Sequence, residues 1–242
     1  MTLGLVASPA RAQGTDEFGP YGGTESKDRI RSPQNMAVEL RFGPYVPRID
    51  SEFGGSAPYA ESFGKKKRLM VGFEVDYQLL RIPFFGTVGP GFGWGFTSMG
   101  SKATVHSTGL PSDQPIALSL MPMYLVGVLR FDYLALETGF PLAFYAKAGL
   151  SYALWWTTSG GKLARVDGVK GQGASYGYHG ALGASFSLNA LDRSAAVEMD
   201  NTTGINSAYV FGEFFMSNLN GFGSGRMQVG ANTWVLGLAF EF

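Results

Sequence analysis

The chain has 242 residues, with 19 basic and 19 acidic side chains, and its formal net charge is zero. No basic excess is present to draw nucleic acid, and the absence of cysteine excludes disulfides and thiolate metal sites. No run of about 20 apolar residues occurs, so no helix of this chain spans a bilayer.

Residues 1–12, MTLGLVASPARA, read as the remnant of a secretory signal peptide. Leu3 to Ala7 form a short apolar run, and Ala10-Arg11-Ala12 is an A-x-A cleavage pattern. Residues 13–34 are polar, mixed in charge and without periodicity, which predicts a flexible tail. From residue 35 the pattern changes to alternation with period two, the signature of strands with one apolar face.

The first strand is expected over 35–45, with Met36, Val38, Leu40 and Phe42 opposite Ala37, Glu39, Arg41 and Gly43. A long loop, 46–67, carries the basic run Lys65, Lys66, Lys67, Arg68. The second strand, 68–80, sets Leu69, Val71, Phe73, Val75 and Tyr77 against Met70, Gly72, Glu74, Asp76 and Gln78. After a tight turn at 81–84 comes the third, 85–97. There Val88, Pro90, Phe92, Trp94 and Phe96 share one face, and Gly89, Gly91, Gly93 and Gly95 share the other. Pro90 cannot donate to a ladder, which predicts a bulge near the lower end of that strand. A second long loop is expected at 98–115.

The fourth strand, 116–131, has Leu118, Leu120, Tyr124, Val126 and Val128 on the face read as the outer one. Met121, Met123 and Leu125 then lie on the inner face, with Pro122 as an irregularity. The fifth, 142–158, opposes Phe144, Leu150, Tyr152 and Trp156 to Tyr145, Lys147 and Ser151. Loop 159–173 leads to the sixth, 174–188, where Tyr176, Tyr178, Leu182 and Phe186 oppose His179, Ala181 and Ser185. A short helix is expected at 190–199. The seventh strand, 205–217, carries Glu213 on its less apolar face, and loop 217–226 precedes the last strand, 227–242. There Trp234, Leu236, Leu238, Phe240 and Phe242 fall on one side, and Val235, Gly237, Ala239 and Glu241 on the other.

That final strand, amphipathic and ending in Phe242, resembles the C-terminal signal by which Gram-negative bacteria insert outer-membrane β-barrels. The run VGVLRFDYLALETGFPLAFYAKAGLSYALWW, residues 126–156, and the tail from Asn220 are similar to small outer-membrane barrels of myxobacterial type, with an OmpA/OmpW-like architecture. The resemblance implies an all-β, eight-stranded antiparallel transmembrane barrel in the bacterial outer membrane. It also implies recognition by the barrel assembly machinery. That group brings no assigned activity, so it implies fold and location alone.

The residues support the same architecture independently. Each of the eight strands spans roughly 11 to 17 residues, enough for a tilted crossing of about 9–11. Loops 46–67, 98–115, 159–173 and 217–226 are expected outside, and an even strand count puts both termini in the periplasm. A soluble barrel of lipocalin type would carry its charged face outward and dense in Lys and Glu. Here the charge-bearing face is mostly Gly, Ala, Ser and Thr, which suits a cramped interior. Tyr45, Tyr77, Phe96, Tyr124, Trp156, Tyr176 and Trp234 are expected to form aromatic girdles.

The predicted lumen holds Glu39, Arg41, Glu74, Asp76, Lys147, His179, Glu213 and Glu241. Unpaired charges in a narrow interior are costly, so these are expected to pair. Glu39, Glu74 and Glu213 against Arg41 and Lys147 leave one surplus negative charge, for which His179 is a candidate partner. His106, next to Ser107, and His179 are the two histidines, and neither spacing makes a nucleophilic triad or a metal site. No catalytic residue, metal or cofactor is assigned. The expected partners are outer-membrane lipid and lipopolysaccharide, the latter through Lys65, Lys66, Lys67 and Arg68, and an extracellular or envelope protein. Three functions stay open: a structural or interaction barrel with a plugged lumen, a narrow porin-like channel, and a lipid-modifying enzyme.

Overall fold

The computed structural model describes residues 35–104, 111–133, 138–166 and 168–242. The signal-peptide and tail segments and His106 lie outside the described residues. Eight strands form the wall: β1 (Met36–Tyr45), β2 (Arg68–Tyr77), β3 (Gly86–Thr104), β4 (Pro111–Phe131), β5 (Leu142–Ser159), β6 (Gln172–Ser187), β7 (Ser207–Asn218) and β8 (Asn232–Glu241). Each pairs antiparallel with its sequence neighbours, and β1 pairs with β8 through Ala37↔Glu241 to Phe42↔Leu236, which closes the ring. The chain is thus an all-β, closed eight-stranded antiparallel barrel. Both ends of the described chain meet at the end that carries the shorter turns, where Asn35 N donates to Phe242 O at 3.0 Å.

The alternation decides which face goes where. Leu40, Phe42, Val71, Phe92, Leu150, Leu182, Trp234 and Leu236 are exposed on the outer wall, whereas Glu39, Arg41, Glu74, Lys147 and Glu213 are buried inside. A folded chain with its apolar residues outside and its charges inside needs an apolar surrounding, the reverse of a soluble barrel.

The face of β4 is opposite to the sequence expectation. Leu118, Leu120 and Val126 are buried inside, and Leu125 and Leu129 are exposed outside. Both faces of this strand are apolar, so hydrophobicity could not orient it. Arg130, the strand's lone cation within 116–131, shares parity with Tyr124 and Val126 and marks the inner face. Two girdle expectations fail with it or beside it. Tyr124 reaches into the lumen, and Tyr45, 1% exposed, lies inside with its hydroxyl donating to Val229 O at 2.6 Å.

The second outer loop is shorter than expected because β3 and β4 run on as a hairpin. Met99 pairs with Leu118 and Lys102 with Pro115, well past the end of the β2–β3 ladder at Val71↔Phe96. Parity is kept, so Met99 is fully buried against Leu118 and Leu120. The third loop also contains structure, a small ladder with Arg165↔Lys170 and Val166↔Val169. Opposite Pro90 the pairing slips by one: Asp76↔Gly91 is followed by Leu80↔Val88, with the extra residue on the β2 side. Pro122 sits in a ladder that passes from Trp94↔Met123 to Thr97↔Leu120, where its missing N–H interrupts the pairing with β3.

Among the described residues, α-helices lie at both ends of the barrel. At the loop end, α1 (Pro58–Phe63) starts with Pro58, and Gly64 follows it with φ of 73°. Asp50 accepts from Tyr59 N at 2.7 Å and from Ala60 N at 3.1 Å, satisfying N–H groups at the helix start. Tyr59, 4% exposed, tucks in a cluster with Tyr45, Ile49, Met70 and Leu219. Burial pushes its hydroxyl up in pKa, opposed by Arg68 and reinforced by Asp50. At the turn end, α2 (Arg193–Thr203) is capped by Asp192 and closed by Gly204 in the left-handed region.

Candidate functional site

The lumen is the most elaborate site in the molecule, and it is built in two tiers. In the first, Arg41 of β1 donates to Glu39 Oε2 at 2.5 Å and also to Glu74 of β2 and Glu213 of β7. Lys147 of β5 donates to Glu74 Oε1 at 2.8 Å and to both oxygens of Glu39, at 3.1 and 3.2 Å. Its ammonium is 3.5 Å from Glu213 Oε2 and 3.8 Å from Asp76 Oδ2. The hydroxyl of Tyr124, from β4, donates to Glu74 Oε2 at 2.6 Å. Strands on opposite sides of the ring are therefore tied through the centre.

Arg41 and Lys147 are 3% exposed, and Glu74 and Glu213 are fully buried. Ion pairs this far from water gain enough attraction to offset desolvation only when their remaining donors and acceptors are met. The multiple contacts of Arg41, Lys147 and Glu74 satisfy that condition. Asp76 widens the expected surplus: the tier sets four carboxylates against two cations.

His179 sits in this tier but outside its ion pairs. Its ring stacks on Tyr124, with centroids 4.1 Å apart and planes 6° apart, and on Phe215 at 5.5 Å. The expectation that it would absorb surplus charge finds no contact to a carboxylate among the described residues. It is 5% exposed, far from any rim.

The second tier lies nearer the turn end. Arg130 of β4 pairs with Glu241 of β8, lies 4.6 Å from the Tyr209 ring centroid, and is joined by Gln78, whose Nε2 donates to Glu241 at 3.0 Å. Tyr209 donates to the other Glu241 oxygen at 2.9 Å. Sequence reasoning placed Glu241 inside but missed Arg130, because it read the β4 face in reverse.

The glycines of β3 make the first tier fit. A Cβ at Gly93 would come within 2.0 Å of the Tyr124 ring, and one at Gly91 within 2.2 Å of Asp76 Oδ1. The inner residues that need room are thus Tyr124 and Asp76, not Met121 and Met123. Gly183 plays the same part for Tyr145, whose ring lies 2.3 Å from its would-be Cβ.

Above the first tier, Tyr45, Met70, Met99, Leu118, Leu120, Phe215 and Val229 form an apolar cluster towards the loop end. Loops 46–67 and 219–231 are joined there, since Arg48 N donates to Gly230 O at 2.9 Å and Gln228 N to Glu52 Oε2 at 3.0 Å. Cavities of about 30 and 20 Å³ lie among the lumen side chains, each with room for a water or two.

Lys65, Lys66 and Lys67 are exposed on the loop end, and Arg68 is partly covered and donates to Gly100 O at 3.1 Å. Lys102, Lys162, Arg165 and Lys170 are exposed on the same end. The terminal residues Trp234, Leu236 and Leu238 are exposed on the outer wall, with Phe240 and Phe242 half-buried in line with them.

No known family matches the sequence, and no curated protein does. Among solved structures, the chain is similar to Ail, the attachment invasion locus protein of Yersinia pestis, solved with the heparin analogue sucrose octasulfate. The two are 10% identical with a TM-score of 0.44, over 86% of this chain and 97% of that one. The N-terminal β-barrel domain of Pseudomonas aeruginosa OprF is 12% identical with a TM-score of 0.42, over 86% and 98%. Neisserial surface protein A is 13% identical with a TM-score of 0.41, over 86% and 97%. Likeness at this level carries no argument about function, and the fold rests on the closed ring of strand pairs.

Proposed function

We propose that this chain is a bacterial outer-membrane β-barrel with a lumen filled by its own side chains, acting as a structural or interaction element through its loop end. The observation that carries this reading is the first tier, in which Arg41 and Lys147 join β1, β2, β5 and β7 across the centre. An eight-stranded ring leaves an interior just wide enough for side chains to fill. The apolar outer wall supports the membrane setting, and the turn end, where Asn35 and Phe242 meet, is read as periplasmic. In this reading residues 1–12 are the signal remnant and 13–34 the periplasmic tail, and the assembly machinery recognises the strand ending in Phe242.

The loop end is the working surface. Its exposed lysines suit the phosphates of lipopolysaccharide, with Lys65, Lys66, Lys67 and Arg68 nearest the β2 rim. The barrel is read as non-enzymatic, since His179 is stacked between aromatic rings in the lumen rather than placed at a rim beside a nucleophile. The test is single-channel recording of purified, refolded protein in planar bilayers. No steady conductance is expected. Stable ion-conducting channels from the unmodified protein would overturn the filled lumen and promote the narrow channel in its place.

A further inference from the structure

The loop after β7 turns back onto the outer wall. Gly221, Gly223 and Gly225 take positive φ values of 70°, 84° and 73°, and Phe222 shares that left-handed region at 56°. Glycine enters it freely and a bulky side chain does not. A phenylalanine among these glycines works against its own backbone, so its ring supplies something the turn itself does not need. Its ring centroid stands 4.6 Å from that of Tyr178 and 5.4 Å from that of Tyr176, both on the outer face of β6. Phe222 is 49% exposed and Tyr178 60%, so their contact leaves an open aromatic ledge.

Arg226 stands at the same place. Its guanidinium carbon lies 5.6 Å from the Tyr176 centroid, and Nη1 donates to Ala174 O at 3.3 Å. The side chain is exposed, and its polar partner among the described residues is a carbonyl rather than a carboxylate. The guanidinium keeps its charge unpaired and donors to spare. The loop is held against β6 by backbone contacts, since Gly221 N donates to Tyr176 O at 2.8 Å and Ser175 Oγ to Met227 O at 2.7 Å. A Cβ at Gly221 would come within 2.4 Å of Arg226 Cγ, so the glycine makes room for the arginine stem. Aromatic rings where an apolar wall meets water lie at headgroup level, and a planar guanidinium is the side chain suited to phosphate. β6 stands half a ring away from β2, so this ledge is separate from Lys65, Lys66, Lys67 and Arg68.

We propose that Arg226, Phe222 and Tyr178 form a binding site for a phosphorylated lipid of the surrounding leaflet, with its phosphate on Arg226 and an acyl chain along the two rings. A free phosphate would leave the rings unused, and an uncharged lipid would leave the guanidinium unpaired. The proposal rests on the membrane reading of the outer wall, but not on a contact at Lys65 to Arg68.

The test uses the full chain refolded in a neutral maltoside detergent and titrated with diphosphoryl lipid A or with the same lipid stripped of phosphate. Native mass spectrometry counts the lipid retained. The native chain should retain the phosphorylated form and hold the stripped form more weakly. Arg226→Ala, which removes a charged donor, is expected to weaken retention about tenfold. Phe222→Asn should weaken it too, although asparagine tolerates the left-handed backbone. If Phe222→Asn does not refold, Tyr178→Leu takes its place. Native retention in Arg226→Ala, or equal retention of the two lipids, would overturn the proposal. Displacement of the lipid by inorganic phosphate at equal concentration would also overturn it, making the anion alone the ligand. Replacing Lys65, Lys66 and Lys67 by Ser tests the other contact separately: retention lost there and intact in Arg226→Ala would sink this site and leave that one standing.

Discussion

Tyr124 lies flat on His179 and, at the far end of the same ring, donates a hydrogen bond to Glu74 at 2.6 Å. One side chain thus connects an aromatic stack to the charged centre of the barrel. Tyr124→Phe keeps the stack and removes the donor. Because the acceptor is a buried carboxylate, the exchange is expected to cost about 1.5–3 kcal/mol in reversible denaturant unfolding. A loss below a few tenths would mean that Glu74 does not use this bond.

Lys147 is the more severe case. Its ammonium contacts Glu39 and Glu74 and approaches Asp76 and Glu213. Lys147→Ala leaves buried acids with Arg41 as their remaining cation, and the expected destabilisation is about 3–5 kcal/mol. Unfolding in micelles measures it. A near-neutral result would show that water reaches the tier.

The outer wall is tested by depth. Leu150 is 58% exposed and Leu238 and Val71 face the same way. Leu150→Arg near the middle of the wall should cost about 2–4 kcal/mol in bilayers. Gly237, by contrast, faces inward, and a Cβ there would come within 2.1 Å of Leu40 O. Arg at Gly237 therefore fails by clash, without dependence on membrane depth. Unchanged stability of Leu150→Arg would reverse the assigned faces.

Topology is read from single cysteines, which the native sequence makes simple by having none. Ser56 and Gly168 belong to the loop end and Thr138 to the turn end. A membrane-impermeant thiol reagent on intact cells should label the first two positions and spare the third. The opposite pattern would invert the barrel.

Acid should loosen α2 first. Asp192 accepts from the Ser194 hydroxyl at 2.7 Å and from the Ala195 and Ser194 amides at 3.0 Å each, contacts that hold its carboxyl below the ordinary range. A depressed carboxylate stabilises above its unfolded pKa, about 3.9, and loses that contribution as pH falls through the folded value. Protection of the Ser194 and Ala195 amides, taken relative to their intrinsic exchange rates, should therefore fall on acidification below about pH 4, while the wall amides stay protected. Asp192→Ala should lower that protection at neutral pH and remove its further fall in acid.

The fold was legible wherever one face of a strand carried charge. Glu39 and Arg41, Glu74 and Asp76, Lys147, and Glu213 each fix parity, and the observed inner faces follow them. It was illegible in β4, where Leu118 and Met123 are equally apolar and Arg130 was the one usable mark. The β3–β4 extension was missed because Ser98, Gly100 and Ser101 read as loop, although their pairing partners Ser119, Ala117 and Ile116 hold them in a ladder. Within the lumen, composition named most of the charged residues but not their partners. That Tyr124 and not His179 meets Glu74 depends on side-chain reach across the ring, which no linear pattern encodes.

The row of glycines along the inner face of β3 has a bearing on engineering. That strand sends no side chain into the lumen between Gly89 and Gly95, and the space is taken by Asp76, Tyr124 and Met70 reaching over from β2 and β4. Shortening those three visitors would bare a smooth furrow along the backbone, bounded by no residue that β3 itself could swing inward. The barrel therefore carries a latent water track against one staple of its circumference, and this is the side from which a nanopore could be carved with the fewest exchanges.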